Sequence, residues 1–135
     1  MVECLVNCVI FNDGAHGWLA QKENRADRTI VLEHGKPMIF GKNRDKGLVL
    51  DGFNLRVVTI GEGGVTEGDV LVHDASCTDS TLHLKLAMME GPEMPIAMGV
   101  IRAVEEETYD EAVEAQIAEV QAKSKVKTFD DLMAT

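Results

Sequence analysis

Short apolar runs separated by glycine-bearing turns fill most of the first hundred residues, and helical spacing dominates only later. Residues 2–10, VECLVNCVI, are apolar almost throughout, with only Glu3 and Asn7 polar. A run this short does not separate helix from strand by periodicity, but it has the character of an interior element of a larger sheet. Asn12-Asp13-Gly14 follows as a turn. Residues 15–28 are polar and anchored by Trp18 and Leu19, with a helix predicted over 18–25. Two hairpins are predicted next. In the first, 29–32 and 37–40 flank Glu33-His34-Gly35-Lys36; in the second, 47–50 and 55–60 flank Asp51-Gly52-Phe53-Asn54. Glycines then connect 61–68, and 70–72 is a further short strand.

Asp79 or Ser80 caps a predicted helix reaching about Glu90, with Leu82, Leu86 and Met89 on one face and Gly91-Pro92 as its stop. In the run 96–101, Ile96, Met98 and Val100 alternate with Ala97, Gly99 and Ile101, a pattern that fits a strand covered on both faces. Thr108 and Glu111 form a Thr-x-x-Glu capping box, so a helix should begin at Tyr109. Its stripe of Val113, Ile117 and Val120 is narrow, and a helix with so little apolar surface needs a neighbour. Residues 123–127 form a polar linker, and Thr128 with Asp131 starts one more capped turn. No internal repeat is present. The order of elements predicts an α+β fold, with short antiparallel strands and hairpins followed by helices.

A length of 135 residues is that of one domain. The formal charge of -10, from 23 acidic and 13 basic residues, argues against nucleic acid or an anionic membrane as partner. No apolar run approaches the roughly 20 residues of a membrane span. Glu3 precedes any basic residue, unlike a secretory signal, so a cytoplasmic location is expected. Cys4, Cys8 and Cys77 are odd in number and include no Cys-x-x-Cys pair. They fit reduced thiols better than a disulfide framework, and they fall short of the four ligands usual for an iron–sulfur cluster.

Several groups carry candidate chemistry. His73, Asp74, Cys77 and His83 are zinc-ligand types, yet their spacing matches no usual zinc pattern, and a strand end followed by a cap and turn is the favoured reading. Gly61-Glu62-Gly63-Gly64 with Gly68-Asp69 lacks both the dinucleotide and the P-loop signatures, and Glu62 and Glu67 would repel phosphate. Lys42, Arg44 and Lys46 form a basic loop in an acidic chain, suited to an anionic ligand or to a partner subunit. Cys4 and Cys8 read as buried structural cysteines, with no adjacent group to activate a thiolate. Phe11, Trp18, Phe40 and Phe53 are expected as core anchors, and Met88, Met89, Met94 and Met98 as packing fillers.

Three separated blocks carry a family resemblance: NCVIFNDGAHGWL near the start, GKNRDKGLVLDG with the following VLVHD, and PIAMGVIRAVEEETYDEAV. In this order they resemble the C-terminal end of the beta subunit of 2-oxoacid:ferredoxin oxidoreductases, most of all the 2-oxoglutarate branch. The resemblance implies that residues 1–14 are a remnant of the thiamine-diphosphate-binding domain and 15–135 the C-terminal domain of such a subunit. It implies a complex that converts a 2-oxoacid and coenzyme A to acyl-CoA and carbon dioxide while reducing ferredoxin. Thiamine diphosphate, Mg2+ and iron–sulfur clusters serve that complex, and an alpha subunit is the direct partner. The beta subunits hold the diphosphate through a Gly-Asp-Gly motif and a later asparagine, a donor set suited to a hard magnesium ion. Here the only Gly-Asp, Gly68-Asp69, is followed by Val70 and falls in the wrong block. No catalytic, cofactor-binding or metal residue can therefore be carried over, and the chain alone is expected to bind none of these cofactors and to be inactive. The alternative is a stand-alone docking or regulatory module that binds an alpha subunit.

Overall fold

The computed structural model describes residues 1–126 and 128–133. They fall into two compact units, Met1–Val104 and Glu105–Thr135. The fold is mixed, with short strands and helices as the sequence predicts.

The second predicted hairpin forms the centre of the first unit. β3 (Lys46–Asp51) and β4 (Asn54–Thr59) are joined by a two-residue loop, in register from Lys46 opposite Thr59 to Asp51 opposite Asn54. Gly52 supplies the loop's positive φ of 61°. Phe53 stands at the tip and is 87% exposed, so it is a loop residue and not the core anchor expected. β2 (Ile39–Phe40) pairs antiparallel on the other side of β3.

The first predicted hairpin does not form. Its leading strand, β1 (Thr29–Leu32), pairs in parallel with β5 (Ile96–Gly99), Thr29 opposite Ile96 and Leu32 opposite Gly99. The chain after the Gly35 turn takes its backbone partners from residues 71–73 and from β3 instead. Gly35 N–H donates to the His73 carbonyl (2.8 Å), His73 N–H to Lys36 (2.9 Å) and Met38 N–H to Leu71 (2.8 Å). Pro37 has no N–H to give a ladder, so its pairing with Val72 is an isolated bridge. The strand predicted at 70–72 is accordingly not a strand, although Leu71 N–H also bonds to the Leu48 carbonyl.

These pairings bring one apolar side chain after another to a common centre. Ile30 and Leu32 of β1, Met38, Phe40 of β2, Leu48 of β3, Val70, Leu86 and Met89 form the buried cluster. β1 buries alternate residues, and Val31 between them is exposed. β5 is less covered than its pattern suggests: Ala97 and Ile101 pack against the core, whereas Met98 and Val100 are exposed. A two-stranded sheet leaves one face to solvent, which a run of apolar letters does not reveal.

Two short helices, α1 (Gly17–Ala20) and α2 (Arg25–Arg28), replace the single one predicted, because the chain is extended at Gln21. Leu19 is buried as expected, and Trp18 is partly open. α3 (Thr81–Ala87) has Ser80 at its N-cap position, while Asp79 supplies the side-chain bond, its Oδ1 accepting Thr81 N–H at 2.9 Å. Leu86 and Met89 are buried and Leu82 packs beside them, while Gly91 turns the chain at φ 94°. The helix stops before Glu90, and Met88 is exposed beyond its end.

Residues 2–10 form no strand or helix. Cys4 and Cys8 are exposed, correcting the buried reading, and Phe11 is 90% exposed. Among the described residues no strand pairs with this segment, so its apolar side chains find no core of their own.

In the second unit α4 (Tyr109–Lys123) begins at the predicted capping box. Glu111 N–H donates to Thr108 Oγ1 at 3.3 Å, and Thr108 N–H to Glu111 Oε2 at 2.8 Å. α5 (Phe129–Met133) begins at the second box, with Thr128 N–H to Asp131 Oδ2 at 2.9 Å and Asp131 N–H to Thr128 Oγ1 at 3.2 Å. Lys127, the last residue of the predicted linker, lies outside the described residues.

Candidate functional site

The loop carrying Lys42, Arg44 and Lys46 is fixed at both ends by its own backbone. Gly41 N–H donates to the Ala26 carbonyl at 3.0 Å, and Ile60 N–H to the Asp45 carbonyl at 2.7 Å. Arg44 adopts the left-handed φ of 55° that the tight reversal requires. Two of the three cations, Lys46 and to a smaller extent Lys42, bear on one carboxylate, that of Asp27. Lys46 Nζ is bound to Asp27 Oδ1 at 2.8 Å, whereas Lys42 and Arg44 are exposed. The Lys46 hydrogen bond holds the Asp27 carboxyl below its usual range, against a desolvation effect that pushes it up.

A pH dependence follows. A carboxyl depressed in the folded state stabilises the fold above its unfolded value and loses that contribution as pH falls through the folded value. Asp27→Asn is therefore expected to lower the melting temperature slightly at neutral pH, with the gap to the parent chain closing below about pH 4. Both partners are 36% exposed, so the effect should stay within the roughly 1 kcal/mol of surface ion pairs and shrink in high salt. Thermal melts across pH check this, and a gap that persists at the acid end would refute it.

His73, Asp74 and His83 are brought together, but their chemistry is turned inward. Asp74 Oδ1 accepts from Ser76 N–H (2.9 Å) and from Ser76 Oγ (2.6 Å), closing a turn. The Ser76 hydroxyl, then its N–H, hold the Asp74 carboxyl below the usual range. His73 Nε2 lies 2.9 Å from the Val100 carbonyl, and His83 Nε2 lies 2.8 Å from the Asp74 carbonyl. A carbonyl only accepts, which places a proton on Nε2 of each ring, and each buried Nδ1 has no hydrogen-bond partner among the described residues. Both rings are buried and meet edge to face, 6.0 Å between centroids. They act as pins, one holding the chain beyond β5, the other holding α3 to the turn before it. His34 joins them by accepting Ala75 N–H on Nδ1 at 3.2 Å, so its 3.4 Å approach to Asp74 Oδ1 is not an ion pair through that nitrogen. Cys77 is exposed. Among the described residues no three His, Cys, Asp or Glu side chains are grouped to hold a metal ion.

The glycine-rich connection is closed by bonds within itself. Gly61 N–H bonds to Val65 and Val65 N–H to Glu62. Asp69 Oδ2 accepts both Thr66 N–H (2.8 Å) and Thr66 Oγ1 (2.7 Å), closing a capping box on a 3-10 turn, Glu67–Asp69. Oδ2 is thus engaged within its own turn, and Gly68-Asp69 is followed by Val70 where a magnesium–diphosphate motif has a second glycine. The donor set for thiamine diphosphate is not supplied by these residues.

Cys8 has company that sequence reasoning missed. The backbone N–H groups of Phe11 and then Ile10, close to the thiol, hold it below its usual value, with desolvation opposing and Asn12 adding a smaller effect. The loop behind it is closed by Asn7, whose Nδ2 donates to Asp13 Oδ1 (2.8 Å) and whose Oδ1 accepts Gly14 N–H (2.9 Å). Backbone donors leave no mark in the letters of a sequence.

No protein-family model matches the chain, and no solved structure matches it significantly. It is similar to the 2-oxoglutarate oxidoreductase subunit KorB of Mycobacterium tuberculosis, 33% identical over 118 residues. The match takes in 87% of this chain and 31% of that protein, so the chain spans about a third of the length of the relative. The resemblance carried by the three sequence blocks is therefore found again as similarity, over most of this chain, to a portion of a 2-oxoglutarate oxidoreductase subunit.

Proposed function

We propose that the chain serves as the C-terminal portion of the beta subunit of a 2-oxoglutarate:ferredoxin oxidoreductase. The observation that carries this reading is the 33% identity to KorB across 87% of the chain. The exposed apolar run from Val2 to Phe11 supports it, since such a segment calls for cover by a larger assembly. Residues 1–14 then belong with the thiamine-diphosphate-binding domain and 15–135 with the C-terminal domain. The complete complex would use thiamine diphosphate, Mg2+ and iron–sulfur clusters to convert 2-oxoglutarate and coenzyme A to acyl-CoA and carbon dioxide, passing electrons to ferredoxin. This chain supplies none of the reacting groups, and its role there is structural, in the cytoplasm and beside an alpha subunit. Among the described residues no helix is long and apolar enough to cross a membrane.

A second reading is favoured by the exposed Lys42 and Arg44 in an otherwise acidic chain: a docking module that binds the alpha subunit by itself. One reconstitution separates the two. The chain is combined with the alpha subunit, with and without the cofactor-binding part of a beta subunit, and viologen reduction dependent on 2-oxoglutarate and coenzyme A is followed. Activity that needs all three supports the first reading, and alpha-subunit binding with no effect on turnover supports the second. Decarboxylation of 2-oxoglutarate by the chain alone overturns both.

A further inference from the structure

An open cleft of about 630 Å³ lies in the first unit, lined from α1, the end of α2 and the Glu90–Pro92 turn. Its volume is in the range of roughly 300–1,000 Å³ typical of small-molecule sites. Trp18, Pro92 and Ile96 give it apolar walls, and His16, Arg28 and Glu90 its polar groups. The indole of Trp18 is left 39% exposed on this surface, a large flat face suited to stacking against an apolar body. Arg28 lines the cleft with its Nη1 directed at the Pro92 carbonyl. That contact takes one of the five N–H donors of a guanidinium, and those that remain suit a carboxylate. Glu90 balances Arg28: one cation and one carboxylate leave little net charge, so the lining has no cluster of cations to draw in a dianion or a polyphosphate.

We propose that this cleft binds a small organic monocarboxylate with a flat apolar body, its carboxylate on Arg28 and its body against Trp18, Pro92 and Ile96. The site is independent of the oxidoreductase reading. 2-Oxoglutarate does not fit it, having two carboxylates and no apolar body.

Trp18 is the only tryptophan of the chain, so its emission reports on this cleft alone. The folded 135-residue chain is titrated with 3-phenylpropanoate, with the neutral 3-phenylpropan-1-ol and with 2-oxoglutarate. A saturable change with 3-phenylpropanoate at a Kd of about 1 mM or below is expected, together with about tenfold weaker binding of the alcohol. Arg28→Gln should remove about tenfold of the affinity for the acid and leave that for the alcohol unchanged. If this variant does not fold, the acid-to-alcohol ratio on the parent chain decides. No saturable response, equal affinity for acid and alcohol, or tighter binding of 2-oxoglutarate than of 3-phenylpropanoate would overturn the proposal.

Discussion

Gly99→Ala should destabilise the first unit by about 3 kcal/mol or more, through two effects that add at one atom. Gly99 has a φ of 91°, where an L side chain is strained. A Cβ there would also lie 2.7 Å from the Leu32 carbonyl oxygen and 3.3 Å from the Leu32 nitrogen. Both contacts are backbone of the paired strand β1, which has no rotamer by which to retreat, so the β1–β5 pair itself must shift. Gly35→Ala is the control, with a φ of 75° and nothing within 4 Å of the new methyl, and should cost only the conformational part, about 1–2 kcal/mol. Urea unfolding of both variants measures the difference. Equal losses would mean that β1 and β5 do not approach as closely as described.

The second large effect is expected at Leu86. Its side chain is 0% exposed and lies in the buried cluster with Ile30, Leu32 and Leu48, so it is the residue by which α3 joins the core. Leu86→Ala leaves a cavity among rigid strands and should cost about 2–5 kcal/mol. Leu84→Ala, on the same helix at 60% exposure, should stay within about 0.5 kcal/mol. For a small domain of marginal stability the first loss approaches the whole reserve, and a lowered denaturant midpoint with an unchanged slope is the expected signature. Similar losses at both positions would contradict the placement of α3.

What the sequence disclosed is what neighbouring residues settle between themselves. Thr108 with Glu111 and Thr128 with Asp131 specify helix starts through bonds three residues long, and both were legible. So was the hairpin at Gly52, where the turn and the flanking β-rich runs lie side by side. The predicted first hairpin failed because Gly35 dictates a reversal but not which strand lies beyond it. The competing partners, 71–73 for one arm and β5 for the other, are distant in the chain. Apolar letters also do not fix burial: Phe11, Phe53, Met88 and Met98, expected in the packing, are all exposed. At the candidate sites, the residue types of His73 and His83 allowed a ligand role that their spacing argued against, and their partners are carbonyl groups that every residue possesses. The lowered thiol of Cys8 depends on N–H groups in the same way.

The parallel pairing of β1 with β5 sets an order of events during synthesis. A chain emerging from the ribosome presents Ile30 and Leu32 long before Gly99 has been made, so this core cannot be completed while the polypeptide is still short. Until the late strand arrives, the early one is a sticky ribbon in search of any edge, and a chaperone that shields it then would matter more to yield than any stabilising change in the finished fold.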